Sequence, residues 1–413
     1  MNLEYIIARR ISSGENGARR SLMMRVATLA VALSVAVMII TLAVIFGFKS
    51  DITSNLTSLT GHVVVTSIRG VDPSGSFSME RNPAIEALAQ ERGVERVSPY
   101  ALNGGVLKSH NRAEGVILKG VDSLFNGGVY SEKLHAGEIP SFAGARASRE
   151  ILLSKELATK LDVEVGERVE FLFADKDGEM DRYLFKVGGI YLSAMGQSES
   201  QLALCDVRAL RRIVEWEPEL ISGYEIWLSD ESRTERFRQS IESRLLEEDR
   251  ESYWGIGFFS YKELYPAIFS WLATHDVNAV VVIVIMLLVA IFNMTTALLI
   301  LVLERTSMVG VLKTIGMKDS SIGQIFVYQA LSVILRGILW GNVGALLLCM
   351  AQQRWGIITL DSEGYLLSQV PIELKVWWIA CINIVAVAVI GAVMIIPSRF
   401  VSRIEPCESM KFN

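Results

Sequence analysis

Four long apolar runs constrain this chain more than any other feature of its sequence. They cover residues 26–48, 277–303, 327–350 and 376–396. An apolar α-helix needs about 20 residues to cross a hydrocarbon core of about 30 Å, at a rise of about 1.5 Å per residue. The sequence therefore predicts a membrane protein with four transmembrane helices, at 26–48, 273–303, 327–350 and 376–396, the second of which includes a stalk at its outer end.

The segment between the first two runs has the composition of a soluble domain. The whole chain is 51% hydrophobic yet 21% charged, so its charges must be concentrated outside the four runs. Within residues 49–272, β-like stretches occur at 62–66, 116–119, 169–173, 183–187 and 224–228, and helical patterns at 83–90, 206–214 and 230–248. We therefore expect a large extracytoplasmic α+β domain inserted between helices 1 and 2, with two subdomains, the inner one at about 121–222.

A turn signal, Asp177-Gly178, separates two of these β-like stretches and predicts a hairpin. An ordinary surface hairpin and a docking element are both open at this point. The acidic residues of the turn lack the terminal glutamate of an EF-hand, and Lys176 and Arg182 lie among them. A solvated turn is therefore expected rather than a metal site.

The sequence argues against several classes of function. It contains no GxxxxGK[ST] phosphate loop, no HExxH helix and no CxxC pair. Its net charge of -5 is unlike that of proteins that bind nucleic acid. His275 and Asp276 are expected to be polar residues at the membrane boundary, because no nucleophile lies near them in the sequence. We predict no catalytic residue, no metal site and no cofactor bound by this chain.

The distribution of basic residues predicts the orientation in the membrane. Residues 1–25 are expected to form an interfacial or cytoplasmic helix, and the first apolar run is longer than the h-region of a signal peptide. Basic residues lie in the short segments assigned to the cytoplasm: Arg9, Arg10, Arg19, Arg20, Arg25, Arg305, Lys313, Lys318, Arg399, Arg403 and Lys411. The outer loop, 351–375, holds only Arg354 and Lys375. Both termini, including the tail 397–413, are therefore expected in the cytoplasm.

The apolar runs contain a few polar residues and glycines that require a separate explanation. Asn293 and Arg336 place polar groups inside a span, where a charge is costly. Arg336 is expected either to contact another component of a complex or to extend towards lipid headgroups. Gly337, Gly341 and Gly344 give the small-residue spacing that permits close approach of helices.

The charged interruption at 304–326, ERTSMVGVLKTIGMKDSSIGQIF, separates the second and third runs. Glu304 and Arg305 mark the exit from the bilayer. Apolar residues then recur at helical spacing up to a terminating glycine, which predicts a short helix: Met308, Val311, Leu312, Ile315 and Gly316. Asp319 or Ser320 is expected to cap the next helix. The apolar face either packs within the protein or docks a partner, and the pattern does not decide between them.

This interruption resembles the coupling segment of the FtsX-like permease superfamily, which includes MacB-type ABC transporter permeases. The order of one span, a large outer domain and three spans matches that superfamily, as does the closing PSRFVSRIEPCESM. Two finer similarities point to lipoprotein-releasing permeases of the LolC/LolE type. One is VAIFNMTTALLILVLERTSMVGVLKTIGM, with its Phe292-Asn293 pair, and the other is the loop ITLDSEGYLLSQVPIEL, with Asp361, Tyr365, Val370 and Pro371.

The resemblance implies a permease subunit of an ABC transporter in the bacterial inner membrane. ATP and Mg would bind a separate ATPase subunit docked on residues 304–316, and a second permease would complete a homodimer or heterodimer. Such a complex extracts lipoproteins, whose acyl chains enter between the first and second spans, and passes them to a periplasmic carrier. The alternative is a MacB-like efflux permease or an FtsX-like mechanotransmitting permease that acts on a periplasmic partner.

The extraction hypothesis predicts a lateral gate of apolar side chains that admits the acyl chains of the lipoprotein. The expected gate residues are Val35, Ile39, Leu42, Ile45, Ile285, Leu288, Ile291 and Phe292. The predicted hairpin around Asp177 is shorter than the carrier-recruiting hook of one branch of the family. Its role in recruiting a carrier is therefore left open.

Overall fold

The computed structural model describes residues 18–68, 78–122, 130–131, 133–142, 144, 146–174, 180–192, 201–248, 255–360 and 369–398. Its helices are α1 (Ala18–Thr60), α2 (Pro83–Ala87), α3 (Lys155–Leu161), α4 (Val207–Ile213), α5 (Thr234–Glu248), α6 (Tyr261–Leu264), α7 (Pro266–Glu304), α8 (Thr306–Thr314), α9 (Asp319–Trp355) and α10 (Val376–Ser398). Its strands are β1 (Val63–Ser67), β2 (Met79–Glu80), β3 (Val94–Ser109), β4 (Arg112–Val121), β5 (Leu134–Gly137), β6 (Glu150–Ser154), β7 (Arg168–Ala174), β8 (Met180–Tyr191), β9 (Leu202–Asp206), β10 (Leu220–Ile221), β11 (Gly223–Leu228) and β12 (Ile256–Ser260).

The chain divides into two compact units. The sheet unit comprises Asp51–Ser270 with Leu360–Ser368, and the helical unit comprises Met1–Ser50, Trp271–Thr359 and Gln369–Asn413. Among the residues that the structure describes, four helices are long and apolar enough to cross a membrane: Met24–Thr60, Pro266–Glu304, Asp319–Trp355 and Val376–Met394. The predicted number of candidate membrane helices is therefore confirmed.

A ten-stranded sheet in the order β12-β1-β11-β3-β4-β9-β6-β8-β5 organises the sheet unit. Strand β7 pairs with both β3 and β8, so β3, β4, β9, β6, β8 and β7 form a closed ring. Most pairs are antiparallel, but β4 pairs with β9 and β6 with β8 in parallel. Closing a ring removes the unpaired edges that an open sheet would expose.

Two apolar cores stabilise this unit. The larger core contains side chains of the ring and of α3 and α4, including Leu107, Phe171, Phe185, Leu157 and Leu210. The smaller core lies where α5 packs on the other strands, and it includes Val63, Ile226, Phe258, Ile241 and Leu245. In a strand every second side chain points to the same face, and in a helix the side chains of one face recur about every 3.6 residues. Both cores are therefore built from alternate residues of the strands and from one face of each helix.

Several local predictions are confirmed by the structure of this unit. Each predicted β-like stretch coincides with a strand, namely β1, β4, β7, β8 and β11, although β1 begins one residue later than predicted, at Val63. Asn82 caps α2 by accepting the amide hydrogen of Ala84, and Asp206 caps α4 by accepting that of Arg208. β7 and β8 form the predicted antiparallel hairpin, with Ala174 opposite Met180, while its turn at 175–179 lies outside the described residues.

A buried lysine completes the C-terminal end of α1. The Lys119 ammonium donates to the Leu59 carbonyl at 2.6 Å and to Glu225 Oε1 at 2.6 Å. The last carbonyls of a helix have no intrahelical donor, and the C-terminal end of the helix carries a partial negative charge. The Lys119 ammonium supplies both a hydrogen-bond donor and a positive charge. Lys119 and Glu225 are each only 6% exposed. Burial raises the pKa of the Glu225 carboxyl, and the nearby Lys119 opposes that shift.

Gly61 and His62 connect α1 to β1. Gly61 adopts a left-handed conformation with φ of 72°, and a Cβ there would lie 2.9 Å from the Ile226 carbonyl oxygen. His62 Nδ1 accepts the amide hydrogen of Leu228 at 3.1 Å, so this nitrogen is unprotonated. Burial lowers the pKa of His62, although Glu231 and Glu95 oppose the shift.

The lowered pKa of His62 predicts a loss of stability in acid. Because the folded-state pKa lies below the unfolded value of about 6.5, the unfolded chain binds the proton first as the pH falls. The stability contribution is therefore present above about pH 6.5 and is lost below it. We expect the apparent Tm of the detergent-solubilised protein to fall between pH 8 and pH 5.5, because full protonation breaks a part-buried hydrogen bond at a cost of about 1 kcal/mol.

The control is His62→Asn, whose amide oxygen can accept the same hydrogen bond and does not titrate. Glu225 is present in both proteins, so its own titration cancels in the comparison. The expected result is a weaker fall of Tm with acid in the variant. Equal pH dependence in the two proteins would show that His62 does not carry the effect.

Candidate functional site

The four membrane-length helices of the helical unit pack around one apolar cluster. Each contributes buried side chains to it, for example Val31 of α1, Met294 of α7, Ile334 of α9 and Met394 of α10, and Val309 of α8 joins them. Because lipid tails are as apolar as these side chains, the hydrophobic effect does not hold such helices together in a bilayer. Close packing and interhelical hydrogen bonds must supply the stability.

Two glycines bring α9 into close contact with α1. A Cβ at Gly337 would lie 2.8 Å from the Cβ of Val31, and one at Gly341 would lie 2.6 Å from the Ala32 carbonyl oxygen. The predicted use of this spacing in helix packing is thus confirmed for both. A Cβ at Gly344 would meet no atom within 4 Å.

An amide pair joins α9 to α10. Asn342 Nδ2 donates to Asn383 Oδ1 and Asn383 Nδ2 donates to Asn342 Oδ1, each at 3.1 Å. Asn342 Nδ2 also donates to the Ile338 carbonyl at 2.7 Å. Such bonds stabilise membrane helix pairs by about 0.6–2 kcal/mol.

The predicted coupling segment forms a short helix, α8, between α7 and α9. α7 ends at Glu304, Arg305 precedes α8, and Gly316 follows it with a φ of 92°. The amide of Met317 donates to the Leu312 carbonyl at 3.0 Å, the bond that completes a Schellman ending. Asp319 or Ser320 was expected to cap α9, but Lys318 occupies the cap position without a side-chain hydrogen bond, and both expected residues lie within the helix. The Asp319 carboxylate pairs instead with Lys313 at 3.0 Å.

The two faces of α8 have different neighbours. Met308 and Leu312 are half-buried and pack against the membrane-helix cluster, beside the fully buried Val309. Val311 and Ile315 are 50% and 77% exposed. The residues predicted for coupling are therefore divided between the two faces. Val311 and Ile315 are the exposed apolar members, and Glu304 and Gly316 are exposed as well.

The expected gate residues are divided in the same way. On α1, Val35 and Ile39 are buried, whereas Leu42 and Ile45 are half-buried. On α7, Ile285, Leu288 and Phe292 are exposed, whereas Ile291 packs against the cluster. The gate itself stays a prediction.

Sequence reasoning missed the exposed face of α1, which is formed by Val26, Leu29 and Leu33. Nearly all residues of this run are apolar, so a helical period cannot tell which of them face the neighbouring helices. The exposed fractions, 58%, 71% and 63%, identify them only in the structure.

The two polar residues singled out inside the spans are both exposed. Asn293 lies next to the exposed Phe292 of α7, and Arg336 lies among Leu335, Leu339 and Trp340 on the outward face of α9. An exposed position is compatible with either expectation for Arg336, a contact in a complex or an interaction with headgroups.

Some predicted features lie outside the described residues. They are residues 1–17, the turn at 175–179, the loop residues Asp361 and Tyr365, and the tail from 399 onwards. Val370 and Pro371 of the loop are described, and Pro371 lies against Gly47 of α1. In the described part of the chain, no group of three or more His, Cys, Asp or Glu side chains is arranged to hold a metal ion.

Comparison with known families identifies the class of protein. The family described as MacB-like periplasmic core domain matches residues 26–244, more than half of the 413-residue chain. The family described as FtsX-like permease C-terminal matches residues 280–406. The chain therefore belongs to the family of permeases that combine a MacB-like periplasmic core domain with an FtsX-like permease region. Its members are permease subunits of ABC transporters, which implies an ATPase and a second permease as partners.

Individual relatives agree with this assignment. The lipoprotein-releasing system transmembrane protein LolC of Neisseria meningitidis serogroup B is 22% identical over 399 residues, which cover 93% of this chain and 92% of the relative. LolE of Haemophilus influenzae is 21% identical over 430 residues, 99% of each chain. Among solved structures, the periplasmic region of MacB from Actinobacillus actinomycetemcomitans aligns with 50% of this chain and 91% of its own length, at 14% identity and a TM-score of 0.36.

The glycine contacts predict a difference between two otherwise similar substitutions. Gly341→Leu places a side chain against the Ala32 carbonyl and Val35 of α1. We expect it to lower the free energy of unfolding by about 1–3 kcal/mol, as overpacking does. Gly344→Leu is the matched control on the same helix, and we expect little change there. Thermal unfolding in detergent measures both, and equal Tm values for the two variants would contradict the packing role of Gly341.

Proposed function

We propose that this chain is the permease subunit of an ABC transporter that extracts lipoproteins from the outer leaflet of the inner membrane. The transporter passes them to a periplasmic carrier and is driven by ATP hydrolysis on a separate subunit. The full-length similarity to LolC and LolE supports this cargo. The observation that carries the coupling mechanism is the exposed apolar end of α8, between two membrane-length helices.

The proposed topology follows from the four spans and the distribution of basic residues. Both termini and α8 lie in the cytoplasm, and the chain between the first and second spans is a periplasmic α+β domain. The proposed domains are the interfacial segment 1–25, the spans 26–48, 273–303, 327–350 and 376–396, the domain 49–272, the coupling segment 304–326, the loop 351–375 and the tail 397–413. ATP and Mg belong to the partner ATPase.

The coupling contact is made by Val311 and Ile315, which would enter an apolar groove of the ATPase. Their apolar side chains are exposed, whereas Met308 and Leu312 attach α8 to the membrane helices. A force applied to the exposed face would thus reach the helix cluster through the opposite face. α7 begins at Pro266 and continues to Glu304, immediately before α8, so it is the element suited to transmit that movement.

The acyl chains of a lipoprotein would meet apolar side chains between α1 and α7. Ile285, Leu288 and Phe292 already present an apolar surface on α7. Val35 and Ile39 of α1 are buried in this conformation. Their participation would require α1 to turn or separate from its neighbours, which is the kind of change that ATP binding on a partner could drive.

The coupling proposal is tested by Ile315→Asp. A carboxylate at the centre of an apolar contact is expected to weaken ATPase binding by at least about tenfold, in the range of other interface hot spots. The variant should still insert into the membrane in normal amount, because Ile315 is exposed. Co-purification of the ATPase and ATP-dependent transport are the measurements.

Two further variants make this test specific. Ser320→Asp adds the same charge at another exposed position of the segment and should leave ATPase binding unchanged. Leu312→Asp should uncouple the transporter but also lower stability, since its side chain packs against the cluster. Normal ATPase assembly in Ile315→Asp would contradict docking through this face.

The cargo proposal is tested on the complex purified with its ATPase. We expect triacylated lipoprotein to co-purify and to be released on addition of ATP, as mass spectrometry and immunoblotting can detect. Depletion of the protein should leave lipoproteins in the inner membrane. Absence of bound lipid-modified protein, together with normal lipoprotein sorting after depletion, would contradict extraction.

A further inference from the structure

Arg336 is a charged residue on the outward face of a membrane-length helix, α9. It is exposed, and it forms no ion pair or hydrogen bond with the residues that the structure describes. Its apolar neighbours on this face, Leu335 and Leu339, are 51% and 62% exposed. An arginine whose charge is not met by a partner is costly within hydrocarbon. We therefore expect the guanidinium to meet a group that does not belong to these residues.

The amide pair between α9 and α10 indicates the depth of Arg336 in a membrane. α10 begins at Val376, beside the exposed Trp377, and tryptophans concentrate at the headgroup level. Asn383 lies about 10 Å inside this outer boundary at about 1.5 Å per residue, and Asn342 of α9 is hydrogen-bonded to it at the same level. Because consecutive spans run in opposite directions, Arg336 lies about 9 Å deeper than Asn342. In a hydrocarbon core of about 30 Å, about 10 Å then separates Arg336 from the other boundary, which is cytoplasmic on the proposed topology.

A row of polar residues connects Arg336 with that boundary. They occur at every fourth position of α9, a spacing that places side chains next to one another on a helix surface: Ser320, Gln324, Tyr328 and Ser332. None of the four is buried. Side chains of a helix lean towards its N-terminus, which directs an arginine at this position along the row and away from the centre of the bilayer. Its long apolar stem stays in hydrocarbon while its charge approaches the headgroups.

The charges near this row favour a phosphate as the partner. The four apolar runs, 26–48, 277–303, 327–350 and 376–396, contain no Asp or Glu, so a second copy of this chain offers no carboxylate at the depth of Arg336. The Asp319 carboxylate, at the start of α9, is already paired with Lys313 at 3.0 Å. Phosphate is the anion that a bilayer itself presents at the headgroup level, and the several donors of a guanidinium suit it.

We propose that Arg336 and this polar row bind the headgroup of an anionic glycerophospholipid. The lipid phosphate pairs with the guanidinium, hydroxyl groups of the headgroup reach Tyr328, and the acyl chains lie along Leu335 and Leu339. A zwitterionic lipid also offers a phosphate, but its ammonium would find no carboxylate on this row. The assignment to the cytoplasmic leaflet rests on the proposed topology, whereas the lipid contact does not depend on the proposed cargo.

The test is native mass spectrometry of the full-length protein with phosphatidylglycerol, phosphatidylethanolamine and phosphatidylcholine of equal chain length. We expect phosphatidylglycerol to be retained about fivefold more than either zwitterionic lipid, the ratio that one basic residue near an anionic membrane surface contributes. Arg336→Gln should remove this preference, because a neutral amide does not attract the anionic headgroup. Arg336→Lys should retain most of it, because the charge remains.

A matched control separates this site from general attraction of anionic lipid. Arg354→Gln removes another exposed arginine of α9, near the outer end of the helix, and should leave the preference unchanged. The proposal is overturned if the wild-type protein retains the three lipids equally, if the preference survives Arg336→Gln, or if Arg354→Gln removes it as well. It is also overturned if Arg336→Gln releases a membrane protein partner while the lipid preference is unchanged. Lipid retention is measured without ATPase or lipoprotein, so failure of the transport proposal would not alter this result.

Discussion

Close packing of α9 on α1 is the interaction on which the membrane part of this protein depends. Apolar helices in lipid gain little from burying apolar surface, because the surrounding hydrocarbon is an equal solvent. Gly337 and Gly341 bring the backbones near enough for dispersion contacts to accumulate. The reciprocal amide pair of Asn342 and Asn383 then attaches α10 to the same helix. Close packing at the glycines and the amide hydrogen bonds thus stabilise the helical unit, whereas the hydrophobic effect stabilises the sheet unit.

Local sequence patterns predicted much of the fold. Strands rich in β-branched and aromatic residues, such as β1 and β11, were found because their composition alone indicates a strand. The longest strand, β3, was missed, since Pro99 and the pair Gly104-Gly105 resemble turn signals. Strands β6, β9 and β12 were missed as well.

The closed ring could not be read from local patterns at all. It depends on β3 pairing with β7, and the partners in this pair, such as Val106 and Leu172, are far apart in the sequence. Nothing in either strand specifies the other. Only the packed structure decides such pairings, because they depend on side-chain volume and on the whole core.

The sequence predicted where the coupling helix lies, but not which of its side chains face the membrane helices and which face outward. The helical spacing in 304–316 located α8, and Gly316 ended it as expected. That spacing could not show that Leu312 faces the cluster while Ile315 faces outward.

The buried contact at the end of α1 also has a consequence for biosynthesis. The Leu59 carbonyl receives its ammonium from a lysine 60 residues further along the chain, and that lysine needs a carboxylate another 106 residues later. A chain is made from its N-terminus, so α1 is complete long before either partner exists. The end of this helix must therefore stay exposed to water until most of the sheet has been synthesised.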